Sequence, residues 1–318
     1  MPQWNYTKGL QDLGNNVYAY LQPDGSWGWS NAGLIVDGDQ SLLVDTLFDL
    51  KLTQQMLDAM RSATSAAASI NTLVNTHANG DHYFGNELVQ GAEIIASQAC
   101  ADEMVELPPE RLAAMMKAAP TMGELGEYLT EILGPFQFDG ITATLPTRTF
   151  EGRLDLKVGD KKVQLIQVGP AHTRGDVLAY VPSDRTIFTG DILFIDGTPL
   201  MWNGPIASWI KACDLMLSLD LETVVPGHGP ITDKRGVEAV KSYLQYIEVE
   251  ARKRYDAGLS WTEAANDIAL GDYSAWGDAE RIAVNVNTLY KEFSGDDTPV
   301  SVVDLFGSMA KIAKSRKA

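Results

Sequence analysis

Histidine is scarce in this chain, and every copy sits in the same kind of place. The four are His77, His82, His172 and His228. Each ends or follows a stretch that reads as a β-strand, among small or turn-forming residues: THANGDH, GPAHTRGD and VPGHGP. A histidine used as core filler would interrupt an apolar stripe, and none of these does. Imidazole is the commonest metal ligand, and ligands work best on rigid strand ends. The strand INTLVNT runs straight into His77, which puts the first cluster on a loop at a strand's C-terminal end. Layered α/β folds carry their active sites on such loops.

Carboxylates complete the pattern. Asp81 lies beside His82, and IFTGDILF places Asp191 just after a strand and Gly190, which permits close backbone approach. Asn79 stands in THANGDH where such a cluster has room for a third histidine.

Around these motifs the chain alternates β and helical signals. NVYAYLQ is a strand, PDGSWGWSN a turn-rich loop, and AGLIVDGDQSLLVDT a hairpin around Asp37-Gly38. Leu52, Met56, Leu57 and Met60 form the stripe of a helix near 51–62. AEIIAS is a strand, and residues 99–134 read as a Met-rich helical stretch broken at Pro108-Pro109 and Pro120. Further hairpins turn at Gly159-Asp160 and Ser183-Asp184, before a helix near 207–219 and the short strand ETVVP. From 232 onward the chain is helical, with stripes Val237/Val240/Leu244/Ile247 and Ile282/Val286/Leu289/Phe293. Ser260 and Glu263 suit a capping box, and Thr298-Pro299 a helix start.

Charge and length exclude several classes. A net charge of −17 repels phosphate backbones, so nucleic acid is not an expected partner. The basic tail KIAKSRKA suits a solvated helix end. With 318 residues the core needs no disulfide staple, and Cys100 and Cys213 are expected as buried free thiols. MPQWNYTKGLQDLGNN has no basic and apolar leader pattern, and no stretch approaches the roughly 18 apolar residues of a membrane span. The expected location is therefore the cytoplasm, with no membrane partner. GxSxG, GxGxxG and Walker patterns are absent, so neither a serine nucleophile nor a nucleotide cofactor is expected.

The order of HxxxDH, a histidine after a hairpin, TGD and PGHGP resembles the metallo-β-lactamase superfamily over about residues 15–235. The resemblance implies an α/β (α+β) fold: a four-layer αββα sandwich with the metal site along one edge and a C-terminal helical extension. Residues 1–235 would be the metal-binding domain, with a helical insert about 99–134, and residues 236–318 a helical region packed on it, part of which leaves room for a homo-oligomer. His77 and His172 match ligands of a first metal site; Asp81, His82 and His228 match those of a second; Asp191 matches the bridging carboxylate. The usual HxHxDH reads HxNxDH here, so Asn79 weakens the first site and leaves the second intact. Zinc, or another divalent metal, suits these donors.

The implied chemistry is metal-dependent hydrolysis of a small ester, lactone, thioester or amide, β-lactams included. Asp81, Asp191 and Asn79 would handle the water. Trp27, Trp29 and Trp202 are expected along the substrate pocket, favouring a small molecule with an apolar or aromatic part. Met104, Met115, Met116 and Met122 in the insert are expected as an adaptable lid at its mouth. Two other readings stand beside this one. A lyase, cyclase or binding protein of the same fold rests on Asn79 alone. An iron-dependent oxidoreductase is opposed by the histidine missing at position 79 and by the lack of a flavodoxin domain.

Overall fold

The computed structural model describes residues 6–296 and 298–317. The first residues of the N-terminal stretch, and the last of the basic tail, lie outside it. Strands β1 (Gly9–Gly14), β2 (Val17–Leu21), β3 (Ala32–Asp37) and β4 (Gln40–Val44) form an antiparallel ribbon. Three parallel strands extend it: β5 (Thr72–Val74), β6 (Glu93–Ser97) and β7 (Arg148–Phe150). A second sheet holds β8 (Arg153–Val158), β9 (Lys161–Gln167), β10 (Val177–Val181), β11 (Thr186–Phe188) and β12 (Thr223–Val225), in the order β12-β11-β10-β9-β8. All its pairs are antiparallel except β11 with β12.

Side-chain alternation explains why the sheets stack. Along β2, Val17, Ala19 and Leu21 enter a core shared with Val163, Leu165, Val177 and Ala179 of the second sheet. Tyr18 and Tyr20 face the other way, into a layer with helix α1 (Leu50–Ala63). A strand buried on both faces needs apolar or aromatic residues at every position, as VYAYL supplies. Helix α1 starts where the Asp49 carboxylate accepts from the Leu52 N–H at 2.7 Å. Helices α2 (Gln98–Met104), α3 (Pro109–Ala118) and α4 (Glu124–Leu133) complete that outer layer, broken near the prolines as read above.

The second sheet's outer face is covered by α5 (Ile206–Ser218), α6 (Lys234–Asp256), α7 (Trp261–Asp267), α8 (Ile282–Ser294) and α9 (Val302–Lys317). Leu178, Tyr180, Ile187 and Val224 of the sheet share one buried cluster with Val240, Leu244, Val286 and Met309 of these helices. The layers are thus α, β, β, α. The Ser260–Glu263 capping box is present, and Cys100 and Cys213 are buried and unpaired. Among the described residues, no helix is long and apolar enough to cross a membrane.

Residues 9–14 also form a strand, although GLQDLG carries too little alternation to announce one. One expectation needs correction. Helix α9 starts at Val302 and not at Pro299, because Asp296 draws the Thr298 N–H and hydroxyl into a local turn at 2.9 and 2.5 Å. Of the insert's methionines, Met104 is fully buried, and Met115, Met116 and Met122 pack against the same helical layer.

Candidate metal centre

Four strands deliver the site to one edge of the sandwich. Parallel neighbours β4 and β5 end at Val44 and Val74; parallel neighbours β11 and β12 end at Phe188 and Val225. The residues just beyond them are Asp45, His77, Asp191 and His228. His172 comes from the β9–β10 loop, and Asp81 and His82 from a single helical turn, Gly80–His82. Two glycines make the approach possible. A methyl on Gly190, whose φ is +49°, would meet Thr76 Oγ1 at 2.5 Å, and one on Gly227 would run into Asp191 Oδ1.

The six predicted ligands converge as two groups. His77, His172 and Asp191 offer donor atoms within 4.8 Å of one another, as do Asp81, His82 and His228. Asp191 lies between the groups. Its Oδ2 is 3.3 Å from His172 Nε2, 3.4 Å from His228 Nε2 and 3.6 Å from His77 Nε2, while its Oδ1 is 3.1 Å from His82 Nε2. Asp81 Oδ2 lies 3.2 Å from His228 Nε2 and 3.7 Å from His82 Nε2.

Each imidazole is held from behind through Nδ1. Thr76 Oγ1 holds His77 at 3.0 Å, Asp45 holds His82 at 2.9 Å, and Gly25 O holds His228 at 3.0 Å. Leu200 O accepts from His172 Nδ1. Every Nε2 therefore turns inward. His77 Nε2, His82 Nε2 and Asp191 Oδ1 are buried yet lack a hydrogen-bond partner. Buried polar atoms are almost always satisfied, and orphans gathered at one point suit a bound cation. Nitrogen and carboxylate donors in this arrangement fit zinc or a similar divalent metal.

The electrostatics agree with that fit. Burial raises the cost of charge on Asp191, but His228, His82 and His77 outweigh it and hold its carboxyl well below the usual range. Burial holds His77 and His172 below the usual imidazole value. Burial also opposes charge on His228, yet Asp191 and Asp81 lift it to about 9. Two buried carboxylates here attract positive charge.

Asn79 is half-buried at the rim, and its Nδ2 donates to His172 Nε2 at 3.0 Å. Trp27 and Trp202 meet across Phe306 of α9, with ring centroids 5.7 and 6.1 Å from it. Trp29 turns away to Phe136, 4.9 Å off, and does not join them.

The sequence reading missed Asp45. Its φ is +63°, and it accepts from Thr76 N and Oγ1, both at 2.7 Å, besides His82. The signal was available: LLVDT ends a buried strand in aspartate, as IFTGD does for Asp191. It also missed Phe194, which stacks on His228 at 5.1 Å. No local pattern marks that residue.

A family model, described as the metallo-beta-lactamase superfamily, matches residues 25–228. The chain is 26% identical over 215 residues to the 2,4-dinitroanisole O-demethylase subunit alpha of Nocardioides sp. (strain JS1661), covering 65% of this chain and 55% of that one. It is 22% identical over 251 residues to the metallo-beta-lactamase type 2 of Bacteroides fragilis, covering 75% and 86%. The solved sec-alkylsulfatase Pisa1 from Pseudomonas sp. superposes with a TM-score of 0.66 at 15% identity, covering 92% of this chain and 52% of that one. This chain therefore spans about half the length of the demethylase subunit and of the sulfatase.

Proposed function

Because the chain belongs to the metallo-beta-lactamase superfamily, we propose that it is a metal-dependent hydrolase of a small organic substrate with an apolar or aromatic part. The observation that carries this reading is the convergence of four inward Nε2 atoms on Asp191, two of them without any other partner.

His77, His172 and Asp191 would hold one cation, with Asn79 beside them; Asp81, His82 and His228 would hold the other, with Asp191 between. When bound, a divalent cation supplies Lewis acidity and lowers the pKa of a water to roughly 7. The chain's own residues do the rest. Asp81 is 7% exposed, whereas the other five candidate ligands are at most 3% exposed, so Asp81 is the carboxylate an entering water reaches first. The Asp81 oxygen that does not face the cation would take the water's proton and pass it to the leaving group, and Asp191 keeps the imidazoles in place. Asn79, at the rim, hydrogen-bonds the water or the substrate oxygen. Trp27, Trp202 and Phe306 offer an aromatic surface to the substrate's apolar part.

Zinc, the cleaved bond and the identity of the substrate belong to this proposal. Carboxylic esters, lactones, thioesters and amides, β-lactams among them, are the first candidates. Alkyl sulfates and aryl methyl ethers join them, since those are the bonds named for two similar proteins. Purified protein assayed on such a panel, before and after chelation, tests the reading. Turnover of one class, lost on chelation and restored by zinc, supports it. A metal-free protein with undiminished turnover contradicts it.

A further inference from the structure

Helix α8 lies outside the segment that the family model matches, yet one polar stripe along its face grips the loop between β11 and α5. Just ahead of the helix, Arg281 Nη1 donates to Thr198 O at 3.1 Å. Asn285 Nδ2 donates to Pro199 O at 2.8 Å, and Asn285 Oδ1 accepts from Met201 N at 2.8 Å. Thr288 Oγ1 donates to Met201 O at 2.8 Å, and Glu292 Oε1 accepts from Ile206 N at 3.0 Å. Positions 281, 285, 288 and 292 fall on one side of a helix, where residues three and four apart are neighbours.

The Leu200–Met201 peptide is the point of interest. It is trans, so its C=O and N–H point in opposite directions across one plane. The N–H is held by Asn285, and the C=O accepts from His172 Nδ1. Fixing one end of a rigid plane fixes the other. The same loop returns to His172 a second time, because Trp202 N and Asn203 N both donate to His172 O at 3.1 Å. Asn285 is 1% exposed and is itself anchored by Tyr243 OH at 3.0 Å, so it has no freedom to drift.

We infer that Asn285 is a positioning residue for the metal centre: by holding the Leu200–Met201 peptide it keeps the Nδ1–H of His172 on Leu200 O and its Nε2 lone pair turned inward, toward Asp191 and Asn79. The inference rests on the metal-centre reading above. It gives the C-terminal helices a role beyond covering the second sheet. A histidine's partner behind the ring sets its tautomer and raises its basicity, and losing such partners weakens metal binding about 10–100-fold. Asn285 acts one bond further back, so the expected loss is near the lower end of that range.

The test uses the full chain loaded with cobalt. Imidazole N–H protons of cobalt-bound histidines give shifted, solvent-exchangeable NMR signals, and the His172 signal is identified by its absence in His172→Gln. Asn285→Leu keeps the branching at Cγ and removes all three hydrogen bonds. It is expected to speed solvent exchange of the His172 signal and weaken cobalt binding at that site about tenfold, leaving the His82 and His228 signals unchanged. Thr288→Val, a milder change beside the same peptide, is expected to move the same signal in the same direction by less. Asn285→Asp keeps an acceptor for Met201 N but sets an oxygen against Pro199 O, so it is expected to hold the signal between those of Asn285→Leu and wild type. An unaltered His172 signal in folded Asn285→Leu, or in Thr288→Val should the first variant not fold, overturns the inference alone. Wild-type protein with no shifted histidine signal at all overturns the metal-centre reading itself.

Discussion

Asn79 Nδ2 lies 3.0 Å from His172 Nε2, the atom with which His172 would bind a metal. The amide thus engages a candidate ligand atom through its nitrogen. His77, His172 and Asp191 form one group of three donors, and Asp81, His82 and His228 the other; on the proposed reading, Asn79 leaves the first the weaker of the two.

The strongest hold behind the second group is Asp45, with hydrogen bonds to Thr76 N, Thr76 Oγ1 and His82 Nδ1. Asp45→Ala is expected to weaken metal binding by about 10–100-fold and to reduce turnover at subsaturating metal. Calorimetric titration checks this, with a melting curve to separate loss of metal from loss of fold. Undiminished affinity in a folded variant would remove Asp45 from the account.

Gly227→Ala sets a methyl against Asp191 Oδ1 and Gly190 O. Backbone oxygen cannot retreat, so the Asp191 carboxylate is expected to move and both cation positions to suffer. Metal content after gel filtration is expected to fall below that of wild type while the circular dichroism spectrum persists. Full metal content would show that the carboxylate has room to adjust.

These two residues mark how far local reading reaches. The four histidines, Asp81 and Asp191 were legible because each sits in a short motif of strand end, glycine and turn, and that grammar is local. Asp45 obeyed the same grammar in LLVDT and was passed over. Asn285, Phe194 and Phe306 obeyed no such grammar. Their roles come from contacts across long sequence distances, and along their own helix or loop they look like ordinary polar or apolar residues. The sandwich was legible from alternation in VYAYL and its neighbours, while β1, with the weakly patterned GLQDLG, was not. The insert's methionine content did not reveal how far these side chains serve as core, since a stretch rich in methionine suits that role as well.

Phe306 joins Trp27 to Trp202, and aromatic pairs are worth about 0.5–1.5 kcal/mol beyond their buried area. Phe306→Ala is expected to raise KM for an aromatic substrate by several-fold, with a smaller effect on kcat. Steady-state kinetics on matched aromatic and short aliphatic substrates decide. Equal changes for both would mean that Phe306 only supports the fold.

A chain ending near residue 232 would expose the outer face of the second sheet, including Leu178, Ile187 and Val224, which share a buried cluster with α6–α9. It is expected to be insoluble or to melt without cooperativity. A soluble, cooperatively unfolding and active product would contradict the view that these helices complete the fold.

On the proposed reading the protein is a metal-dependent hydrolase whose two cation positions are unequal because of Asn79. Zinc titration of apo wild type and of apo Asn79→His, with turnover followed at each addition, tests it most directly. One tight equivalent is expected in wild type and a second bound at least about tenfold more weakly. Asn79→His is expected to tighten the second equivalent selectively, and turnover in wild type to rise with the first. Two equally tight equivalents in wild type, unchanged in Asn79→His, or turnover independent of zinc, would contradict it.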